Sequence, residues 1–203
     1  MSAENTDYHP VKFLDELQGN NHIVLLYDDE KFGDLMIARY FLNGLKKEQS
    51  CIFFTDEDPG PMEERLEAQG LDIQKYREAN QFRIYRSHPP NNVNVEVLEI
   101  LKAIRAEATR GMRGPFRFAG RTIMDIQTTD GMLLRGMEVE RTGQAHFPEF
   151  DNAQMCFYDI RKLEPTRKVE WIEDLLKNHH QVIYASSPEK AVAFESGLLE
   201  TED

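Results

Sequence analysis

Two side chains far apart in the sequence, His22 and Cys156, carry the most reactive chemistry in the chain. An imidazole beside a thiol can act as base and nucleophile, or supply two ligands to a metal. Each also has a plainer reading. His22 precedes an apolar run and could satisfy a backbone carbonyl, and Cys156 stands between Met155 and Phe157 as ordinary core. As a zinc site the pair is two ligands short, because no CxxC or HxxxH motif supplies the rest. No metal ligand set and no cofactor is therefore assigned. His179-His180 falls where a helix should end, and a helix C-terminus favours an imidazolium, so capping is the preferred reading there.

The second group is acidic. Tyr27-Asp28-Asp29-Glu30-Lys31-Phe32-Gly33-Asp34 follows the first apolar run, where a nucleotide-binding chain would carry a glycine-rich loop ending in Gly-Lys-Ser/Thr. This stretch has one glycine, three acids ahead of it and no such ending. Each acid within about 4 Å of a phosphate charge costs about 1 kcal/mol in water and roughly 4 at a partly buried site. Triphosphate binding in the usual mode is not expected on that ground. Asp28 or Asp29 reads as the N-cap of the next helix; the alternative is a cation or polar-ligand site that Asp56, Glu57 and Asp125 would complete.

Short apolar runs alternate with longer amphipathic ones, the pattern of a mostly parallel sheet covered on both faces. Strands are expected at His22–Tyr27, Cys51–Thr55, Gln81–Arg86, Phe116–Gly120, Gln154–Ile160 and Gln181–Ala185, the last closing the sheet. Helices are expected at Val11–Leu17, Lys31–Lys47, from Pro61, over Leu71–Ala79, and at Asn94–Thr109, Gly131–Thr142 and Thr166–Asn178. The tail from Pro188 reads as a short helix followed by a frayed acidic end. The expected architecture is a three-layer α-β-α sandwich in one domain, 1–203, with its core over about 20–186. In such a sheet ligands bind at the carboxyl ends of the strands. Tyr27, Asp28, Arg121, Asp125 and Tyr158 are the candidates there.

Charge narrows the partners. The net charge is −12 over 203 residues, with 30% charged and 40% hydrophobic residues. Nucleic acid and anionic membrane surfaces both select clustered Lys and Arg, so neither is an expected partner. No apolar run approaches the roughly 20 residues of a membrane span. The polar opening MSAENTDYHP is unlike a signal peptide, so a cytoplasmic location is expected. Two cysteines, Cys51 and Cys156, both in apolar stretches, point to reduced buried thiols rather than a disulfide framework.

The ordered set HIVLLYDDEKFGDLMIARYFLNGLKKEQSCIFFTDEDP, MEERLEAQGLDIQKYREANQFRIYR, QMCFYDIRKL and HQVIYA resembles the MEDS family, the sensory domain of DcmR-type regulators, from about His22 to Ala185. The resemblance implies a RecA/KaiC-like fold without the phosphate loop, and sensing of small hydrocarbon derivatives. It makes His22 and Cys156 the characteristic polar positions and adds Glu140 as a further acid. One segment departs from the family pattern. After the fourth strand, where the family carries Gly-Glu and then a tryptophan, this chain has Gly120-Arg121-Thr122-Ile123-Met124-Asp125, and its one tryptophan is Trp171. The expected function is thus a stand-alone sensory domain that binds a small molecule through His22, Tyr27, Asp28, Arg121, Asp125, Glu140, Cys156 and Tyr158. It would regulate a kinase or transcription regulator in trans, without ATP hydrolysis; a homo-oligomer is expected by analogy with KaiC-type relatives. The alternatives are an enzyme using His22 and Cys156 or a bound metal, and a scaffold derived from an ATPase.

Overall fold

The computed structural model describes residues 9–86, 96–121, 130–162, 168–187 and 190–196. Elements follow in the order α1 (His9–Glu16), β1 (His22–Tyr27), α2 (Glu30–Lys46), β2 (Ser50–Thr55), α3 (Pro59–Ala68), α4 (Ile73–Glu78) and β3 (Phe82–Arg86). After them come α5 (Val97–Ala108), β4 (Phe116–Gly120), α6 (Asp130–Ala145), β5 (Asn152–Asp159), α7 (Lys168–Lys177), β6 (Gln181–Ser187) and β7 (Lys190–Glu195). The strands form one seven-stranded sheet in the order β3-β2-β4-β5-β1-β6-β7. All neighbours are parallel except β6 and β7.

The period-2 alternation of the strands sorts their side chains into two packed layers. Ile23 and Leu25 of β1 and Met155 and Phe157 of β5 join Met36, Ile37, Tyr40 and Phe41 of α2 in the larger core, which also takes in α1, α3 and α4. The alternate residues Val24, Leu26, Cys156 and Tyr158 meet Trp171 and Leu175 of α7 on the other face, with Met137 of α6 against them. Ile52 and Phe118 complete that face beneath Ala108 of α5. The result is the expected three-layer sandwich. β1 is buried at every residue, as its unbroken apolar run requires in the centre of a parallel sheet.

Two expectations at the C-terminal side need correction. Lys190–Glu195 is a strand and not a helix, and it pairs antiparallel with β6, so β7 and not β6 closes the sheet. Its KAVAFE run has only exposed and half-buried positions, as an edge strand does. The segment is part of the fold because β6 offers it a free edge.

The largest fully buried side chain among the described residues is Arg117 of β4, pointing into the α2 layer. Its Nη1 donates to the Tyr40 carbonyl at 2.8 Å, its Nε donates to Gln49 Oε1 at 2.9 Å, and its guanidinium lies 4.7 Å from the Tyr40 ring centroid. A Cβ on Gly44 would sit 2.7 Å from Arg117 Cδ, so this helical position has to be glycine for the arginine to pass. Both cysteines are buried. Burial pushes the Cys51 thiol up to about 12.

Candidate functional site

The strand-end loop is occupied by its own side chains. Asp29, not Asp28, caps α2, accepting from the Lys31 amide at 2.9 Å. Asp28 accepts from the Tyr184 hydroxyl at 3.2 Å and from Ser186 Oγ at 3.0 Å, which ties the loop to β6. The single glycine of the loop serves packing: a Cβ on Gly33 would lie 2.9 Å from the Tyr27 ring. Arg65 reaches both Glu30 and Asp34, Arg161 forks onto Asp159, and Arg121 pairs with Glu57 at 3.3 Å. Glu30, Asp34, Glu57 and Asp159 are thus engaged by arginines of the same chain. Asp125 lies outside the described residues.

The buried chemistry is elsewhere, at the start of β1 on the sheet face covered by α6 and α7. His22 opens β1, and register places Val24 beside Cys156 on the same face. Cys156 Sγ is 3.6 Å from His22 Nε2 and 3.6 Å from Glu140 Oε2, and His179 Nε2 is 3.6 Å from the same Glu140 oxygen. All four residues are 2% exposed or less. One ligand atom from each falls within 4.8 Å of the other three. The pair that looked two ligands short from the sequence has two further donors beside it.

Each of these groups is oriented by a second residue. His22 Nδ1 donates to Gln144 Oε1 at 2.8 Å, and His179 Nδ1 donates to the Leu175 carbonyl at 2.7 Å. Both rings therefore turn an Nε2 lone pair inward. The Tyr158 hydroxyl donates to Glu140 Oε1, leaving Oε2 to face the cluster. Arg105 donates to Gln154 Oε1, which fixes the amide so that its Nε2 donates to Cys156 Sγ at 3.2 Å.

Burial decides the charge of the imidazoles. It holds His22 well below the ordinary histidine value, and a charge on His179 would push it lower still, against the pull of Glu140. Burial likewise brings His179 down to about 4, although the Leu175 carbonyl opposes this. The His179–Glu140 contact is accordingly not an ion pair, because a neutral ring faces the carboxylate. The two rings lie 4.1 Å apart between centroids, and Phe147 stacks on His22 at 5.0 Å. Trp171 closes the roof edge-on to Tyr158 at 4.8 Å.

Of the eight residues expected to form one ligand site, four come together: His22, Glu140, Cys156 and Tyr158. Tyr27, Asp28 and Arg121 stand at the opposite end of the strands, and Arg121 lies over Phe157 of the other layer. Sequence reasoning missed His179 as a member of the cluster, along with Gln144 and Gln154. Signals for them were present. Glu140 and Gln144 are four apart on one helix, and Gln154, Cys156 and Tyr158 alternate along one strand face.

The family model for MEDS (MEthanogen/methylotroph, DcmR Sensory domain) matches residues 21–180. The chain belongs to the MEDS family. The match begins just before His22 and ends just after His179, so the whole buried cluster falls within the family domain. Among solved structures, a KaiC-like protein from Pyrococcus horikoshii OT3 superposes with a TM-score of 0.62 at 12% identity, over 88% of this chain and 80% of that one. Another Pyrococcus horikoshii OT3 protein gives 0.60 at 10% identity, over 91% of each chain. These likenesses show a RecA/KaiC-like fold for the MEDS chain. No curated protein matches it. No helix among the described residues is long and apolar enough to cross a membrane.

Proposed function

We propose that this MEDS chain senses a small, hydrocarbon-derived molecule, and that the buried cluster of His22, Glu140, Cys156 and His179 is where the signal begins. One observation carries the reading. Four chemically competent side chains are buried together and each is held by a partner, whereas the edge that would grip nucleotide phosphates is plugged by Asp28 and its bonds to Tyr184 and Ser186. Burying such groups is costly unless they are satisfied, so a fold that assembles them uses them. Glu140 lies on α6, and His179 follows α7 directly. A change at the cluster therefore moves the two roof helices, and their outer faces are where a kinase or transcription regulator would read the state. A groove of about 350 Å³ between α5 and α6, lined by Val97, Leu98, Glu138, Thr142 and His146, lies on the helix that carries Glu140. The groups facing the thiol from His22, His179 and Glu140 all carry lone pairs, which suits binding better than stabilising an oxyanion in turnover.

A thermal-shift screen with small halogenated, aromatic and one-carbon compounds tests this. A compound present at about 100 times its Kd adds about 2.7 kcal/mol, or roughly 5 to 10 °C in Tm for a chain of this size. The shift should vanish in Cys156→Ala and persist in Asp28→Asn, and magnesium-ATP should give none. Loss of the response in Asp28→Asn alone, or a clear rise with ATP, would move the site to the strand ends and contradict the reading.

A further inference from the structure

We propose that His22 Nε2, Glu140 Oε2, Cys156 Sγ and His179 Nε2 together bind one divalent metal ion of the zinc class. The proposal takes the cluster as the functional centre, as the sensory reading does, and says what it holds.

Geometry comes first. Zinc takes four N, S and O ligands in a tetrahedron, with bonds of about 2.0 to 2.3 Å. The edges of that tetrahedron are then ~3.3 to 3.6 Å long. Cys156–His22, Cys156–Glu140 and His179–Glu140 are each separated by 3.6 Å, and every pair in the set lies within 4.8 Å. The donors come from four different places: the head of β1, the middle of β5, α6, and the turn between α7 and β6. A small inward rotation of side chains closes the set.

The orienting contacts are those a metal needs. A metal-bound imidazole typically donates its other N–H to a carbonyl or carboxylate, which fixes the tautomer. Both histidines do this, to Gln144 Oε1 and to the Leu175 carbonyl. The Gln154 amide aims an N–H at the sulfur, as suits a thiolate, and the Tyr158 hydroxyl holds the carboxylate by its outer oxygen. His179 Nε2 is the independent sign. It is a fully buried ring nitrogen, aimed into the cluster, with no hydrogen-bond partner among the described residues. A bare buried acceptor of this kind needs something electron-poor.

Charge closes the account. On binding, Cys156 gives up its S–H proton, now directed at Glu140 Oε2, and that proton leaves to solvent. One thiolate and one carboxylate then balance the two positive charges of the ion, with two neutral imidazoles beside them. The buried centre is electrically neutral, which a low-dielectric site demands. Four protein ligands make it a closed site, and an incoming molecule with a donor atom would have to displace the carboxylate, the one ligand on α6. Metal occupancy is thereby coupled to a roof helix.

The test uses the whole chain, purified under reducing conditions, stripped with a chelator and titrated with Zn²⁺ and with Co²⁺. The expected result is one ion per chain by elemental analysis and a thiolate-to-cobalt charge-transfer band that appears with Co²⁺ and is displaced by Zn²⁺. Cys156→Ser should lose the band, and His179→Gln should weaken binding at least about 100-fold, since even orienting residues are worth 10 to 100-fold. Gln144→Leu should weaken it 10 to 100-fold and keep the band, whereas Cys51→Ser should change neither. A folded wild-type chain, verified by circular dichroism, that takes up no ion would overturn the proposal, as would full loading of Cys156→Ser. A compound that still shifts the Tm of metal-free protein would leave the sensory reading standing without it. A bound ion with no responsive compound would do the reverse.

Discussion

Arg117→Ala is expected to lower unfolding stability by about 3 to 5 kcal/mol, whereas Arg117→Met should change it by less than about 1.5. The two differ because the charge and the volume of this side chain do opposite things. Arg117 has no exposed surface, and no carboxylate pairs with it among the described residues; its partners are a backbone carbonyl, a glutamine and a tyrosine face. A desolvated cation held only by neutral acceptors gains little net stability, because hydrogen bonding and cation–π contact offset the loss of water. Its length, however, fills the space between β4 and α2 that Gly44 leaves open. Alanine opens a cavity there, and methionine fills most of it. Gln49 is half-exposed and can turn to water when its donor goes. Urea denaturation of the two variants measures the difference. Equal losses would mean that the hydrogen bonds and the charge, rather than the volume, carry the stability.

The second large effect is expected at the roof of the cluster. Trp171 is 2% exposed and packs edge-on against Tyr158, whose hydroxyl holds Glu140. Trp171→Ala should cost about 3 to 5 kcal/mol, the usual range for removing a buried aromatic. Trp171→Phe should cost much less, because the indole Nε1 is buried with no hydrogen-bond partner among the described residues, so the ring that replaces it gives up no bond. The comparison reads out in denaturant midpoints. A loss in Trp171→Phe as large as in Trp171→Ala would show that the nitrogen has a partner after all and that the roof is held by a polar contact.

Most of the architecture was legible because the physics that writes it is periodic. β1 is uniformly apolar since it is buried on both faces, and α2 carries apolar groups nearly all round since it is enclosed between α1 and the sheet. β7 was missed because six residues with three half-buried positions, two on one face and one on the other, give no strong period, and only the free edge of β6 selects a strand there. The acid-rich, glycine-poor turn was read as unsuited to phosphate, and its acids are bonded within the chain. Where those acids go was not legible, since Tyr184 and Ser186 hold Asp28 and Arg65 reaches Glu30 and Asp34, all from segments distant along the chain. The cluster was legible in part. His22, Glu140, Cys156 and Tyr158 were named, but they were expected to share a site with Tyr27, Asp28 and Arg121. Strand register and face sort these residues into two groups, and register is a tertiary property. His179 read as a helix cap, and its Nδ1 does bond a helix-end carbonyl. The sequence alone does not say that the other ring nitrogen is left facing a thiol and a carboxylate.

All of this depends on two neutral imidazoles whose outer nitrogens are tied down, leaving their inner nitrogens to face Cys156 and Glu140. Long-range proton–nitrogen NMR of the histidine rings in the metal-free chain reads that state directly. Burial depresses both rings, His179 to about 4, so the protonated form should be absent at neutral pH. The expected spectrum shows His22 and His179 as Nδ1–H tautomers at pH 7, unprotonated at Nε2. Rings that carry their proton on Nε2, or that titrate near the ordinary histidine value, would contradict the account.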